Sequence, residues 1–193
     1  MTDLADRRDV ETEVYQPAED SRLLAETAVD DLSGTPADRT LEVGTGSGYV
    51  AERVDDETEV RALGSDLNPH ACTQTRDRGV EVVRADLLAP FRDGAFDAVL
   101  FNPPYLPSDP DAERDDWMEV ALSGGEDGRA VIEPFLAAAD RVLAPEGAVY
   151  LLVSSLTGVD EVVELAADAG FSAVALRDES FPFETLTVLK LVG

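Results

Sequence analysis

Cysteine and histidine are almost absent from this sequence of 193 residues, and each shortage excludes a kind of site. Cys72 is the only cysteine, so the chain cannot form an intramolecular disulfide. His70 is the only histidine, so no Cys/His cluster exists for zinc. No apolar run is long enough to span a bilayer, and we expect no signal peptide at the acidic start of the chain. The sequence therefore predicts a metal-free protein of a reducing cytoplasm, without a membrane partner.

Basic residues are also scarce, which leaves a formal net charge of −26. Lys190 is the only lysine, and the 41 acidic residues are spread over the whole chain. A uniform acidic coat indicates adaptation to concentrated salt, where a Debye length of about 3 Å at 1 M screens self-repulsion. We interpret the chain as halophilic. The alternative, a mimic of nucleic acid, would place the acids in a block. The sequence has no basic stripe to neutralise phosphates, which disfavours a nucleic-acid partner.

Strand and helix patterns alternate along the chain and predict a single domain over residues 1–193, with 1–14 as a loose segment. Alternation of this kind is typical of an α/β fold, in which helices cover both faces of a mostly parallel sheet. The last two strands are too close for a helical crossover, so the last strand is expected to be antiparallel. Residues 103–127, which include Trp117, are predicted to be a long acidic loop. The predicted strands are 40–43, 60–65, 80–84, 96–101, 148–154, 172–176 and 185–191, and the predicted helices begin at 17–20 and cover 48–54, 69–78, 128–143 and 159–169.

The most informative segment is Asn102-Pro103-Pro104-Tyr105, which directly follows the apolar run 98–101. Asn102 offers a side-chain carbonyl, and the Pro103 carbonyl is free because Pro104 has no N–H and keeps the backbone extended. Tyr105 offers a ring for stacking. Two acceptors and a flat surface suit a planar –NH₂ group, whose nitrogen is a poor nucleophile and needs positioning. We call residues 102–105 the amide clamp; the alternative is a Pro-Pro turn that merely ends a strand.

A second segment, residues 41–48, resembles a strand that runs into a glycine-rich turn and a helix. Gly44, Gly46 and Gly48 let the backbone approach a ligand at a helix N-terminus. The spacing G-x-G-x-G differs from the G-x-G-x-x-G of dinucleotide-binding proteins. We call residues 44–48 the glycine turn; by itself it is also compatible with a plain tight turn.

Acidic residues mark the ends of neighbouring predicted strands. Asp66 is placed to accept hydrogen bonds from ribose hydroxyls, and Asp86 with Leu87 could hold an adenine amine and one face of its ring. Glu42 disfavours a phosphate and favours a cationic ligand. Each acid alone is compatible with a solvated strand end in so acidic a chain. Their combination at strand ends fits a ribose–adenine ligand with a positive centre and an amino-acid tail.

These residues resemble class I S-adenosylmethionine-dependent methyltransferases. Within them the chain is similar to the HemK-type branch that methylates release-factor glutamine, in its short archaeal and eukaryotic form. The resemblance extends from Tyr15 to nearly the end of the chain. It is carried by the segments 15–21, 41–48, 64–69, 86–88, 102–105, 124–128 and 184–190.

The resemblance implies a Rossmann-like class I methyltransferase fold, S-adenosylmethionine as the cofactor, and N5-methylation of the Gly-Gly-Gln glutamine in a class-1 release factor. It assigns catalysis to Asn102, Pro103 and Tyr105, and substrate binding to these three with Pro104. It also implies a small zinc-binding activator protein, which could add a strand to the predicted edge strand Val80–Arg84. The implied cofactor-binding residues are Asp20, Ser21, Glu42, Gly44, Gly46, Gly48, Asp66, Leu67, Asp86, Leu87 and Asn102.

Three other functions remain open at this point. The same tetrapeptide could hold the exocyclic amine of adenine in nucleic acid, although the chain lacks basic residues for that substrate. Another protein side chain could be the acceptor. Finally, the chain could bind S-adenosylmethionine without catalysing transfer, which the intact amide clamp argues against.

Overall fold

The computed structural model describes residues 14–106 and 117–193, and a seven-stranded sheet forms its centre. The sheet order is β3-β2-β1-β4-β5-β7-β6, and β7 is antiparallel to both of its neighbours. The predicted fold class is therefore confirmed. The strands are β1 Arg39–Val43, β2 Arg61–Asp66, β3 Glu81–Arg84, β4 Phe96–Phe101, β5 Leu143–Ser154, β6 Ser172–Ser180 and β7 Thr185–Val192.

The described residues form six helices, of which the first precedes β1 and the others lie between strands. None of them combines the length and the apolar character that crossing a bilayer requires. The helices are α1 Glu19–Leu32, α2 Tyr49–Glu57, α3 Pro69–Asp77, α4 Trp117–Leu122, α5 Ile132–Val142 and α6 Val159–Asp168.

Two hydrophobic clusters cover the two faces of the sheet. In β4, Val99 and Phe101 point into one cluster while Ala98 and Leu100 point into the other, as the period of two in a strand requires. Helices α5 and α6 pack on the first face, and helices α1 and α2 pack on the second. Because both faces are buried, the central strands are almost continuously apolar, which is typical of a parallel sheet.

The predicted helix at 128–143 was wrong at both ends. The helix begins at Ile132, because Gly128 has a left-handed backbone with φ 76°. Leu143 belongs to β5 and pairs with Phe96, although the prediction began that strand at residue 148. Glu146 has a left-handed backbone with φ 67° and lies within a shift of the register, so the pairing with β4 resumes only at Ala148.

Two further segments differ from the sequence prediction. Trp117 begins helix α4 and is not part of an irregular loop, while 107–116 lie outside the described residues. Strand β6 continues to Ser180, four residues beyond its predicted end. Its second half is polar because it is an edge strand, and Arg177 pairs there with Asp30 at 2.7 Å.

The predicted loose segment 1–14 lies outside the described residues except for Val14. That side chain is buried, at 1% exposure, and it contributes to the wall of the main cleft. The single-domain organisation of 1–193 stays a prediction.

Candidate functional site

Four neighbouring strands, β3, β2, β1 and β4, end side by side at the carboxyl edge of the sheet. In open α/β sheets ligands bind in the crevice beyond this edge. A cleft of about 340 Å³ lies here, within the range of small-molecule sites. Thirteen of the predicted site residues line it and so meet in one place: Asp20, Ser21, Glu42, Gly44, Gly46, Asp66, Leu67, Asp86, Leu87 and all four residues of the amide clamp.

Backbone hydrogen bonds tie the glycine turn to strand β2 and close the turn within itself. The Thr45 N–H donates to the Ser65 carbonyl at 2.9 Å, and the Gly48 N–H donates to the Thr45 carbonyl at 2.8 Å. Gly44, Gly46 and Gly48 have φ values of 63°, 53° and 82°, a region that other residues adopt only with strain.

Gly48 is the one predicted site residue that does not line the cleft. A Cβ on Gly48 would lie 2.9 Å from the Thr75 Cα, so this glycine allows α2 to pack closely against α3. Thr45 and Ser47 line the cleft instead, together with Tyr15 and Trp117, and the sequence prediction did not include these four. The signal for Tyr15 was present, since it opens the segment 15–21 that carries the resemblance.

Glu42 lies at the base of the glycine turn and is buried, at 4% exposure. Its Oε2 accepts hydrogen bonds from the Thr45 hydroxyl at 2.6 Å and from the Ala51 N–H at 2.9 Å. Burial raises the pKa of Glu42 to about 8, against the lowering effect of these two donors and with a smaller contribution from the nearby Asp66 charge. A cationic ligand near Glu42 would restore the charged carboxylate.

Asp66 joins the end of β2 to the glycine turn. Its Oδ2 accepts from the Gly46 N–H at 2.9 Å and its Oδ1 accepts from the Asn68 N–H at 2.8 Å. Burial raises the pKa of Asp66, while hydrogen bonds from backbone N–H groups oppose the shift. Each oxygen keeps a lone pair for a further donor, as contact with ribose hydroxyls requires. Leu67 follows with 44% of its surface exposed.

Asp86 and Leu87 follow β3 and form the far wall of the cleft. The Asp86 side chain is exposed, whereas Leu87 packs against the core cluster of the first face. Leu87 has a left-handed backbone with φ 45°, an uncommon conformation for a residue with a branched side chain. This strain at the cleft turns the chain sharply between Asp86 and the buried Leu88.

The charge of the cleft matches a neutral or cationic nucleoside. Four carboxyl groups line it, and no lysine or arginine does so among the described residues. A phosphate would meet no cation here, whereas a ribose, an adenine and a sulfonium would meet acceptors. The residues present therefore fit S-adenosylmethionine.

The amide clamp forms the wall of the cleft that continues from β4. Asn102 donates from Nδ2 to the Asp20 Oδ2 at 3.0 Å, and its Oδ1 is buried without a hydrogen-bond partner among residues 14–106 and 117–193. Burial, followed by the charges of Asp20 and Glu184, raises the pKa of Tyr105 above its usual value, so this residue stays a neutral phenol. The clamp thus holds one unsatisfied acceptor beside a neutral aromatic ring.

The glycine-rich segment 124–128 packs closely against the backbone of the amide clamp. A Cβ on Gly124 would lie 2.7 Å from the Pro104 carbonyl oxygen, and one on Gly128 would lie 2.7 Å from the Tyr105 carbonyl oxygen. The Leu106 N–H donates to the Leu122 carbonyl at 2.9 Å, which ties the end of α4 to the same strand end. Trp117 and Leu122 from α4 line the cleft.

Comparison with known proteins agrees with this geometry. A model of the family described as methyltransferase domain matches residues 41–103, which span the glycine turn and the start of the clamp. A Methanocaldococcus jannaschii protein with the designation protein N5-glutamine methyltransferase is 33% identical over 183 residues, which cover 92% of this chain and 90% of the relative. Human methyltransferase HEMK2 is 31% identical over 193 residues, which cover 93% of this chain and 89% of HEMK2.

Among solved structures, Mtq2 of E. cuniculi in complex with Trm112 superposes with a TM-score of 0.76 and 30% identity. The match covers 93% of this chain and 98% of that one. The resemblance in sequence, the sheet order and the lining of the cleft all agree with these matches. The chain therefore belongs to the same family as these relatives, the S-adenosylmethionine-dependent methyltransferases that comprise the protein N5-glutamine methyltransferases and HEMK2.

Proposed function

We propose that this enzyme methylates N5 of the glutamine in the Gly-Gly-Gln motif of a class-1 translation release factor. Two relatives support this substrate. The M. jannaschii relative is designated a protein N5-glutamine methyltransferase. The E. cuniculi complex is described as responsible for the methylation of the eRF1 translation termination factor.

The observation that carries the proposal is the Oδ1 of Asn102 at the wall of the cleft, which is buried and has no hydrogen-bond partner in the part of the chain that the structure describes. An unsatisfied buried acceptor costs roughly 1–3 kcal/mol, so its persistence favours a role in ligand binding. A primary amide has two N–H donors in one plane. Asn102 Oδ1 is suited to accept one of them, the Pro103 carbonyl to accept the other, and the Tyr105 ring to pack on the plane.

Catalysis by these residues is mainly positioning. When bound, S-adenosylmethionine supplies an electrophilic methyl group on a sulfonium. Asn102 and Pro103 hold the amide nitrogen so that its weak lone pair is aligned, and such alignment can lower a barrier by up to roughly 7–11 kcal/mol. Tyr105 is neutral and does not accept the proton. No strong base is required, because methyl transfer leaves the amide nitrogen cationic with both of its protons, and this very acidic cation releases one proton to solvent.

Transfer of a labelled methyl group tests the substrate directly. We expect label on an archaeal class-1 release factor in molar salt, and none when the motif glutamine is replaced by alanine. Asn102→Ala should lower transfer to a small residual rate while the enzyme still binds S-adenosylhomocysteine. Label on DNA and not on the factor would indicate an adenine methyltransferase and refute the proposal. Normal turnover by Asn102→Ala would refute the positioning mechanism.

We also propose an activator partner that binds the β3 edge of the sheet. The E. cuniculi relative forms a complex with Trm112, which supports a partner of that kind. Among the described residues, strand β3 pairs with β2 alone and so presents unpaired backbone groups along its other side, a ready site for strand addition. Val83 on this strand is 40% exposed, which adds apolar surface for a partner to cover.

The two edges of the sheet provide a matched pair of variants. Val83 on β3 and Val174 on β6 are both valines on edge strands, with 40% and 56% of their surface exposed. We expect Val83→Asp to abolish co-purification with the zinc-binding activator, and Val174→Asp to leave it intact. Loss with Val174→Asp alone would place the interface at the opposite edge, and unchanged binding by both variants would exclude the edge strands.

A further inference from the structure

Asp20 is a buried carboxylate in the first turn of α1 whose acceptor positions are all used by the protein. Its Oδ2 accepts from the Tyr15 hydroxyl and from the Asn102 Nδ2, each at 3.0 Å. Its Oδ1 accepts from the Ser21 N–H at 2.6 Å and from the Ser21 hydroxyl at 3.2 Å. A carboxylate has about four lone-pair sites, and these four hydrogen bonds occupy them.

We propose that Asp20 is a positioning residue that fixes the orientation of the Asn102 amide. This inference rests on the proposed function, in which the Asn102 oxygen faces the substrate amide. A side-chain amide has similar shape in its two flipped orientations, but only one presents an acceptor to the substrate. A carboxylate accepts and cannot donate, so it binds the Nδ2 side and directs Oδ1 away from itself. The flipped amide would place two donors against the substrate's N–H groups and would leave two acceptors facing each other at Asp20.

The same contacts argue against the predicted role of Asp20 as a cofactor-binding residue. With its lone pairs occupied, Asp20 has no acceptor left for the cofactor. The Ser21 hydroxyl, by contrast, donates its proton to Asp20 and keeps its own lone pairs toward the cleft. The contact with the cofactor therefore falls to Ser21, and Asp20 acts on the reaction through Asn102.

Replacement by asparagine is the sharpest test, since Asp20→Asn keeps the shape but offers a donor that allows both amide orientations. Because the hydrogen bond to a charged group that selects one amide orientation is lost, we expect kcat to fall roughly 10–100-fold. The affinity for S-adenosylhomocysteine, measured by calorimetry, should change little. In a double-mutant cycle, Asp20→Asn should cost nothing further once Asn102 is alanine. Asp31→Asn is the control, because Asp31 also accepts from a tyrosine, Tyr150, but lies outside the cleft.

A spectroscopic measurement tests the orientation without any substrate. The side-chain amide signals of Asn102, assigned from their absence in Asn102→Ala, should show a downfield proton from the bond to the carboxylate. That shift should be lost in Asp20→Asn and kept in Asp31→Asn. A release factor that accepts no methyl group would refute the proposed function, and this spectrum would still decide the orientation. An unchanged spectrum in Asp20→Asn, or a loss confined to cofactor affinity, would overturn the role of Asp20.

Discussion

At the scale of single residues, Glu42 places a carboxyl group where its charge is disfavoured. Burial raises its pKa to about 8 from an ordinary value of 4.5. Between these values the folded protein binds a proton that the unfolded chain does not, so this residue makes stability fall as pH rises. Above pH 8 the full cost is present, and below pH 4.5 it disappears.

Glu42→Gln should remove this cost, because glutamine keeps an acceptor for Thr45 and Ala51 and carries no charge. We expect the cofactor-free variant to melt several degrees above the wild type at pH 9 and close to it at pH 5. About 1 kcal/mol moves the melting temperature of a domain of this size by roughly 2–4 °C. Calorimetry across this pH range measures the difference.

Glu164→Gln on α6 is the control for loss of an acidic charge, since Glu164 is exposed. It should shift the melting temperature by a similar small amount at both pH values. If Glu42→Gln followed the same flat profile, the carboxyl group of Glu42 would be charged in the folded protein throughout the range.

The sequence predicted which residues meet in the cleft, but not the separate role of each one. Asn102, Asp66 and Asp86 could be placed because each lies at or just beyond the end of a strand, and parallel strands end at one edge. The hydrogen bond from Asn102 to Asp20 joins residues 82 positions apart. No local pattern records such a pairing, so the role of Asp20 became visible only in three dimensions.

At the scale of elements, the segment 124–128 holds the amide clamp by close backbone contact. Gly128→Ala should push its Cβ against the Tyr105 carbonyl oxygen, 2.7 Å away in the present geometry. We expect a loss of kcat of roughly 100-fold, since small displacements of positioning groups have effects of that size. Steady-state kinetics with the release factor measures the effect on the amide clamp. Calorimetry of S-adenosylhomocysteine binding shows whether cofactor binding is also affected.

Gly170→Ala controls for backbone strain in that experiment. Gly170 has a φ of 95°, and a Cβ placed there would meet no atom of the described residues within 4 Å. It should lose about 1–2 kcal/mol of stability from the left-handed backbone and keep its kcat. Equal activity in the two variants would show that the close contact behind Tyr105 is not needed for catalysis.

The elements that sequence reasoning missed share a physical cause. The sequence of β6 is polar beyond Leu176, so the end of this strand was missed. An edge strand has one solvent-exposed side, and Glu179 pairs there with Arg22. Leu143 was wrongly predicted to be helical. Its pairing with Phe96 is separated from the rest of β5 by a shift of the register, so the sequence around it lacks a continuous strand pattern. Central strands were predicted closely, since burial on both faces leaves a continuous apolar run.

At the scale of the whole molecule, a net charge of −26 destabilises the compact state by self-repulsion. Local arrangements add to this, because helix α2 ends in the acidic run 55–57 and has no basic residue in its last turn. The C-terminus of a helix carries partial negative charge, so acids there are unfavourable until salt screens them. The chain should therefore gain stability as salt rises, and the halophilic interpretation stays a prediction until this is measured.

Two charge reversals separate the local contribution from the global one. Asp56 lies in the last turn of α2, whereas Asp160 lies in the first turn of α6, and both are exposed. Asp56→Lys and Asp160→Lys change the net charge equally, but only the first improves the interaction with the helix dipole. In about 0.1 M salt, where the Debye length is about 10 Å, Asp56→Lys should melt higher than Asp160→Lys. In molar salt the two melting temperatures should converge, and that of the wild type should rise and level off near 1 M, where the Debye length is about 3 Å.

A wild-type melting temperature that is independent of salt would contradict the halophilic interpretation, and equal values for the two variants at low salt would contradict the dipole contribution.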